Sequence, residues 1–136
     1  MKKQAPPYKH KAVMLIDDND IDNFINERMI TTNSFSKMVI VKNSGESALQ
    51  FLRDNCENAD VLPQVIFLDL NMPVMDGFAF LEEYESLPAS IRTSCKVIVL
   101  SSSISPEDIN RASTNQYVVK YVNKPLNEKY LDAINF

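Results

Sequence analysis

Four short runs in this chain contain no polar residue: Ala12–Ile16, Met38–Val41, Val65–Leu68 and Val97–Leu100. A strand with one wet face alternates apolar and polar residues; a strand covered on both faces does not. The four runs therefore predict strands of a parallel sheet sandwiched between helices. A fifth, Tyr117–Val122 (YVVKYV), is more mixed and suits an edge. Between the runs the period changes to that of a helix. Ile21, Phe24, Ile25 and Met29 predict an amphipathic helix over 19–30 with that stripe inward. Ser44 is a fitting cap for a second helix carrying Ala48, Leu49, Leu52 and Cys56. Asp76-Gly77 opens a third, with Phe78, Leu81 and Tyr84 inward. Ser105-Pro106-Glu107-Asp108 has the cap, the proline and the first-turn acids of a fourth. The fifth follows Pro125 and carries Leu126, Tyr130, Leu131 and Ile134. Five strand–helix repeats predict an α/β fold: a doubly wound, five-stranded parallel sheet, the (βα)5 flavodoxin-like three-layer sandwich.

In such a sheet the crossovers are right-handed, so every strand ends at the same edge, where ligands bind. The residues just beyond the runs are therefore the informative ones. The first run ends in Asp17-Asp18, the third in Asp69, Leu70 and Asn71, the fourth in Ser101-Ser102-Ser103, the fifth in Asn123-Lys124-Pro125. Only the second adds nothing obvious. Three carboxylates, a hydroxyl and an ammonium thus collect at one edge. Carboxylates this close repel one another and resist ionising. A hard divalent cation relieves them, and Mg2+ (or Mn2+) takes carboxylate, carbonyl and water oxygens. A cation, a lysine and a hydroxyl together suit a phosphoryl group. An aspartate can accept one as an aspartyl phosphate. Asp69, alone at the end of the central run, is the best-placed acceptor.

The remaining features exclude other classes. At 136 residues the chain is most simply one domain. A net charge of -4 does not suggest a nucleic-acid binder. No apolar run approaches a transmembrane span, and the basic start, interrupted by Pro6-Pro7, lacks the apolar core of a signal peptide. Residues 1–10 are read as a flexible lead-in, His10 within it without a role. Cys56 and Cys95 lack ligand spacing and are read as reduced thiols of a cytoplasmic chain.

LIDDND, VIFLDLNMPVMDG, VIVLSS and YVNKP, in this order, resemble the receiver domain of two-component response regulators, of the stand-alone, single-domain type. The resemblance covers residues 11–136. It implies that Asp69 is the phosphoacceptor, receiving its phosphoryl group from a phosphohistidine of a sensor histidine kinase or phosphotransfer protein. Asp17 and Asp18 would hold the metal with Asp69 and the backbone carbonyl of Asn71. Ser101 and Lys124 would contact the phosphoryl group, Pro125 would follow a cis peptide bond, and Ser101 with Tyr121 would form the switch. The domain would assist its own phosphorylation and dephosphorylation without being an enzyme on an outside substrate. Its message would go to a downstream protein target that the sequence does not name, or into a phosphorylation-dependent homodimer through the face of the fourth helix, fifth strand and fifth helix.

Departures from the family pattern concentrate after the fourth strand. Ser102 is polar where a small apolar residue is common. NQYVVKY contains no glycine, with Tyr117 and Lys120 at positions where glycine is common, so this partner face is expected to be atypical. Leu87–Ser94 (LPASIRTS) is read as an extra loop. Taken singly, Asp18 could cap a helix, Asp69 could be a turn residue, Ser101 and Lys124 loop residues, and Tyr121 a strand aromatic. Two other functions share this topology or chemistry. A flavodoxin-type FMN binder needs a phosphate-cradling loop after the first strand, where this chain has four acidic or amide residues, Asp17–Asp20. A haloacid-dehalogenase-type phosphatase needs a second aspartate where this chain has Asn71. A receiver-like scaffold without phosphorylation is the third alternative, though all the site residues are present.

Overall fold

The computed structural model describes residues 8–135. Its strands are β1 (His10–Ile16), β2 (Ser36–Lys42), β3 (Val65–Leu68), β4 (Lys96–Ser101) and β5 (Val118–Asn123). Its helices are α1 (Asp20–Thr32), α2 (Gly45–Asp54), α3 (Gly77–Tyr84), α4 (Ala89–Ser94), α5 (Pro106–Ser113) and α6 (Glu128–Asp132). The strands pair in the order β2-β1-β3-β4-β5, all parallel. Order reverses beside β1, which places the topological switch point between β1 and β3. The expected fold is the observed one. Among the described residues, no helix is long and apolar enough to cross a membrane.

Alternate residues of the three inner strands face opposite layers. Met14, Ile16, Ile66, Leu68 and Val97 pack with Leu49, Leu52, Phe80, Leu81 and Tyr84 beneath α2 and α3. Val13, Leu15, Val65, Phe67, Ile98 and Leu100 pack with Ile30, Leu131 and Ile134 beneath α1 and α6. Burying each large apolar side chain contributes about 1.5–3 kcal/mol, so this double core fixes the rigid edge on which the acids stand.

Five differences from the sequence reading have physical causes. First, β1 begins at His10, which is buried against Phe35 with ring centroids 4.7 Å apart, so the boundary expected between residues 10 and 11 falls inside a strand. Residues 1–7 and Phe136 lie outside the described residues. Second, β2 is an edge strand, and Met38 and Val41 are exposed rather than covered on both faces. Third, Leu87–Ser94 is not simply a loop: Ala89–Ser94 forms the short helix α4, whose Ile91 is fully buried. The expected fourth and fifth helices are therefore α5 and α6. Fourth, α6 is only five residues long; Leu126 and Ile134 flank it and are buried without belonging to it.

The fifth concerns α1. Its apolar stripe faces out: Ile21 is 70% exposed, Phe24 61% and Ile25 43%. The buried residues are Asn23, Asn26 and Ile30. Both asparagines serve the neighbouring loops, which present unpaired backbone groups to the helix. Asn23 Nδ2 donates to the Asp17 carbonyl at 2.8 Å, and Asn26 Oδ1 accepts from the Leu126 N–H at 3.1 Å. Turning the stripe inward would carry both asparagines out and strip the Asp17 carbonyl and the Leu126 N–H of these partners, and a buried N–H left so costs about 1–3 kcal/mol.

The glycine-free segment before β5 is accommodated in two ways. Tyr117 packs edge-on against Tyr84, centroids 5.3 Å apart, and so fills space with a ring. In β5, Val118 pairs with Val97 and Lys120 with Ile98, leaving Val119 as a bulge with its side chain exposed.

Candidate functional site

Asp17, Asp69 and Ser101 each stand at the end of a buried inner strand. The Asp69 N–H donates to the Ile16 carbonyl at 3.0 Å, which ties the acceptor candidate directly to β1. The Lys124 N–H donates to the Ser101 carbonyl at 3.0 Å, which ties the lysine to β4, and Lys124-Pro125 is a cis peptide. Gly77 is required here: a Cβ on it would lie 2.7 Å from the Asp69 carbonyl oxygen and 2.8 Å from Leu70 Cα. Its N–H donates to the Leu70 carbonyl at 2.9 Å, so the start of α3 is fastened against the strand that carries Asp69.

The expected acidic triad is assembled. Carboxylate oxygens of Asp17, Asp18 and Asp69 lie within 4.8 Å of one another; Asp17 and Asp69 are buried and Asp18 is exposed. Asp17 is well supplied with partners. Its Oδ1 accepts from the Asn19 N–H at 2.9 Å, and its Oδ2 lies 2.6 Å from Lys124 Nζ. Asp69 is not: Lys124 Nζ is 3.6 Å from Asp69 Oδ1, and that oxygen is buried without a hydrogen-bond partner. Burial and the neighbouring Asp17 charge raise the Asp69 pKa to about 6, against the opposing pull of Lys124 and the Asn71 backbone. Burial disfavours the charge on Lys124, but hydrogen bonds to Asp17 and Asp22 and the charge of Asp69 outweigh it, and its pKa lies above the ordinary lysine value.

This donor set fits a hard divalent cation. Three carboxylates within reach of one ion, one with an orphaned buried oxygen, are what such an ion would satisfy. Asn71, exposed just beyond Asp69, keeps its side chain out of the buried site.

On the other side, Ser101 is fully buried and its Oγ accepts from the Ser103 N–H at 3.1 Å. Ser103 then joins three elements. Its hydroxyl donates to Asp108 Oδ2 in the first turn of α5 at 2.8 Å, and its carbonyl accepts from the Tyr121 hydroxyl at 2.8 Å. Asn123 Nδ2 also donates to the Ser103 carbonyl, at 3.2 Å. Tyr121 is half-buried and packs with Leu70, Val99 and Ala112. The expected switch pair, Ser101 and Tyr121, is thus connected through Ser103. Ser102 points into solvent, so its polarity is without cost.

The sequence reading missed Asp22, Asn23 and Asn26. Asp22 Oδ2 lies 2.9 Å from Lys124 Nζ. A signal was available: Asn19, Asn23, Asn26 and Ile30 recur at 4-3-4 spacing on one helix face, and buried asparagines imply backbone partners.

Comparison with known proteins gives one answer. A family model described as the response regulator receiver domain matches residues 13–135. Response regulator Rcp1 of Synechocystis sp. is 30% identical over 122 residues, 89% of this chain and 81% of that protein. A crystal structure of a two-component response regulator from Cytophaga hutchinsonii superposes with a TM-score of 0.82 at 30% identity, over 92% of both chains. The Mn(2+)-bound form of Rcp1 superposes with a TM-score of 0.69 at 27% identity, over 90% of this chain and 87% of that one.

Proposed function

The chain belongs to the response regulator receiver domain family and is a phosphorylation-dependent signalling domain, and from that premise we propose that Asp69 is its phosphoryl acceptor. The observation that carries this reading is the orphaned, buried Oδ1 of Asp69, set among two carboxylates and one lysine. Of the three acids, Asp69 alone combines burial with a deficit of partners. In the proposed reaction a carboxylate oxygen of Asp69 attacks the phosphorus of a phosphohistidine. The O–P bond forms as the N–P bond breaks, and the imidazole leaves with that electron pair and takes up a proton. Lys124 would supply charge to the phosphoryl oxygens, and Ser101, whose Oγ accepts from the Ser103 N–H, would donate its own O–H.

Asp17, Asp18, Asp69 and the Asn71 carbonyl would hold Mg2+ or Mn2+, which when bound neutralises charge at the phosphoryl oxygens. The Mn2+ named in the Rcp1 structure supports this choice. The domain would assist its own phosphorylation and hydrolysis and act on no outside metabolite.

The donor would dock on the outward stripe of α1. Ile21, Phe24 and Ile25 are exposed on the helix that leaves the acidic edge, and the groove beside them is lined by Phe24, Ile25, Arg28, Met29 and Thr32. An apolar patch on the helix that starts at the acidic edge suits the helical surface of a phosphohistidine protein. The output would leave through Tyr121 and Ser103, whose contact to Asp108 carries a shift of Ser101 into α5 and β5. A downstream protein, or a second copy of the chain, would read that face of α5, β5 and α6.

The deciding experiment is incubation with acetyl phosphate and Mg2+, followed by intact-mass measurement. Wild type should gain one phosphoryl group, labile to hydroxylamine, and Asp69→Ala should gain none. Equal incorporation in the variant would reject Asp69 as acceptor.

A further inference from the structure

We propose that Asp22 is a positioning residue for Lys124: it holds the ammonium off Asp69 in the resting domain and must release it when Lys124 moves to the phosphoryl group. The inference rests on the reading of Asp69 as acceptor and adds a residue that reading does not use.

Lys124 has three N–H donors and three carboxylates around it. Two are at hydrogen-bond distance, Asp17 at 2.6 Å and Asp22 at 2.9 Å, and the third, Asp69, is at 3.6 Å. The two short contacts leave the ammonium beyond hydrogen-bond distance of the third. Asp17 and Asp69 belong to the metal-fitting triad; Asp22 does not. A cation held by Asp17 would weaken the hold of that acid on Lys124, and Asp22 would remain as the tether.

The position of Asp22 is imposed by the backbone. Its N–H is held by the Asn19 side chain at 2.9 Å, in the first turn of α1. The next residue, Asn23, is hydrogen-bonded to the Asp17 carbonyl, and Asn26 to the N–H of Leu126, two residues beyond Lys124. The helix backbone is therefore clamped to the loop after β1 and to the segment after Lys124, so α1 does not travel with Lys124 toward Asp69. Moving the ammonium to the phosphoryl group breaks the Asp22 contact.

The test is titration of the full chain with beryllofluoride at saturating Mg2+, followed by fluorescence or NMR. Asp22→Asn should bind about three- to tenfold more tightly than wild type, the scale of one partly exposed charged contact. Asp22→Glu should return binding toward wild type, which a general loosening of α1 would not. In a Lys124→Ala background, Asp22→Asn should have no effect. A second readout needs no mimic: in the metal-free protein the 15Nζ resonance of Lys124 should shift in Asp22→Asn. Unchanged or weaker binding by Asp22→Asn, or the same gain without Lys124, overturns the proposal while leaving the acceptor reading intact. Wild type that does not bind beryllofluoride, or Asp69→Ala that binds it equally, overturns both.

Discussion

Lys124 makes its short ion pair with Asp17, at 2.6 Å, and stands 3.6 Å from Asp69. The acid expected to take the phosphoryl group is therefore the one left short of partners. Its instability as an ion is a property of the resting site, and several measurable consequences follow from that arrangement and from the helix that frames it.

Asp69 should make the metal-free domain less stable as pH rises. Burial and the Asp17 charge lift its pKa from 3.8 to about 6. Between those values the folded state holds a proton that the unfolded state has lost, so stability falls across that window. The loss, on the order of 1–3 kcal/mol, is complete by about pH 7. Urea unfolding in EDTA from pH 4 to 7 measures it, and Asp69→Asn should flatten the profile. A profile of the same slope in that variant would contradict the assignment.

Mg2+ should raise the melting temperature, because it binds the folded triad and not the dispersed acids of the unfolded chain. Asp18→Asn should raise the metal-free melting temperature and abolish the Mg2+ response. Equal stabilisation of both proteins by Mg2+ would place the ion elsewhere.

Phe24→Ser should slow phosphorylation by a phosphohistidine protein severalfold and leave phosphorylation by acetyl phosphate unchanged, since Phe24 is 61% exposed and does not line the acidic edge. A parallel loss with both donors would remove α1 as the docking face.

Asn26→Ala should destabilise the domain by about 1–3 kcal/mol, because it leaves the buried Leu126 N–H without its acceptor. Denaturant unfolding gives the value, and amide exchange at Leu126 should accelerate with it.

Val74→Gly should stabilise the domain by about 1 kcal/mol. Val74 is β-branched with φ of 67°, in a tight turn closed by the Met75 N–H on the Pro73 carbonyl at 2.7 Å, and its side chain is 96% exposed. Glycine removes the steric cost and gives up no packing. Unchanged or lower stability of the variant would contradict a steric cost at this φ.

Most of the architecture and the acidic edge was legible in the chain. Unbroken apolar runs with carboxylates, a serine and a lysine at their ends can pack in few ways. Val65–Leu68 is a strand with the expected bounds, Ser44 and Ser105 cap the helices they were expected to cap, and the third helix opens at Asp76-Gly77 as expected, with Asp76 as its cap. These features are local: a cap bonds a residue three positions on, and a strand buried on both faces has no polar alternation.

The rotation of α1 was not local. Periodicity put Ile21, Phe24 and Ile25 inward, and the folded chain turned them out, because Asn23 and Asn26 answer backbone groups at Asp17 and Leu126. Leu126 is 100 residues from Asn26, and no window of sequence contains both. The same holds for Lys124, whose choice among Asp17, Asp22 and Asp69 depends on distances differing by 1 Å or less. Sequence determined which chemical groups reach the edge of the sheet. Only the tertiary structure decided how one ammonium is divided among three carboxylates, because electrostatic pairing depends on separations that pattern and spacing along the chain do not specify.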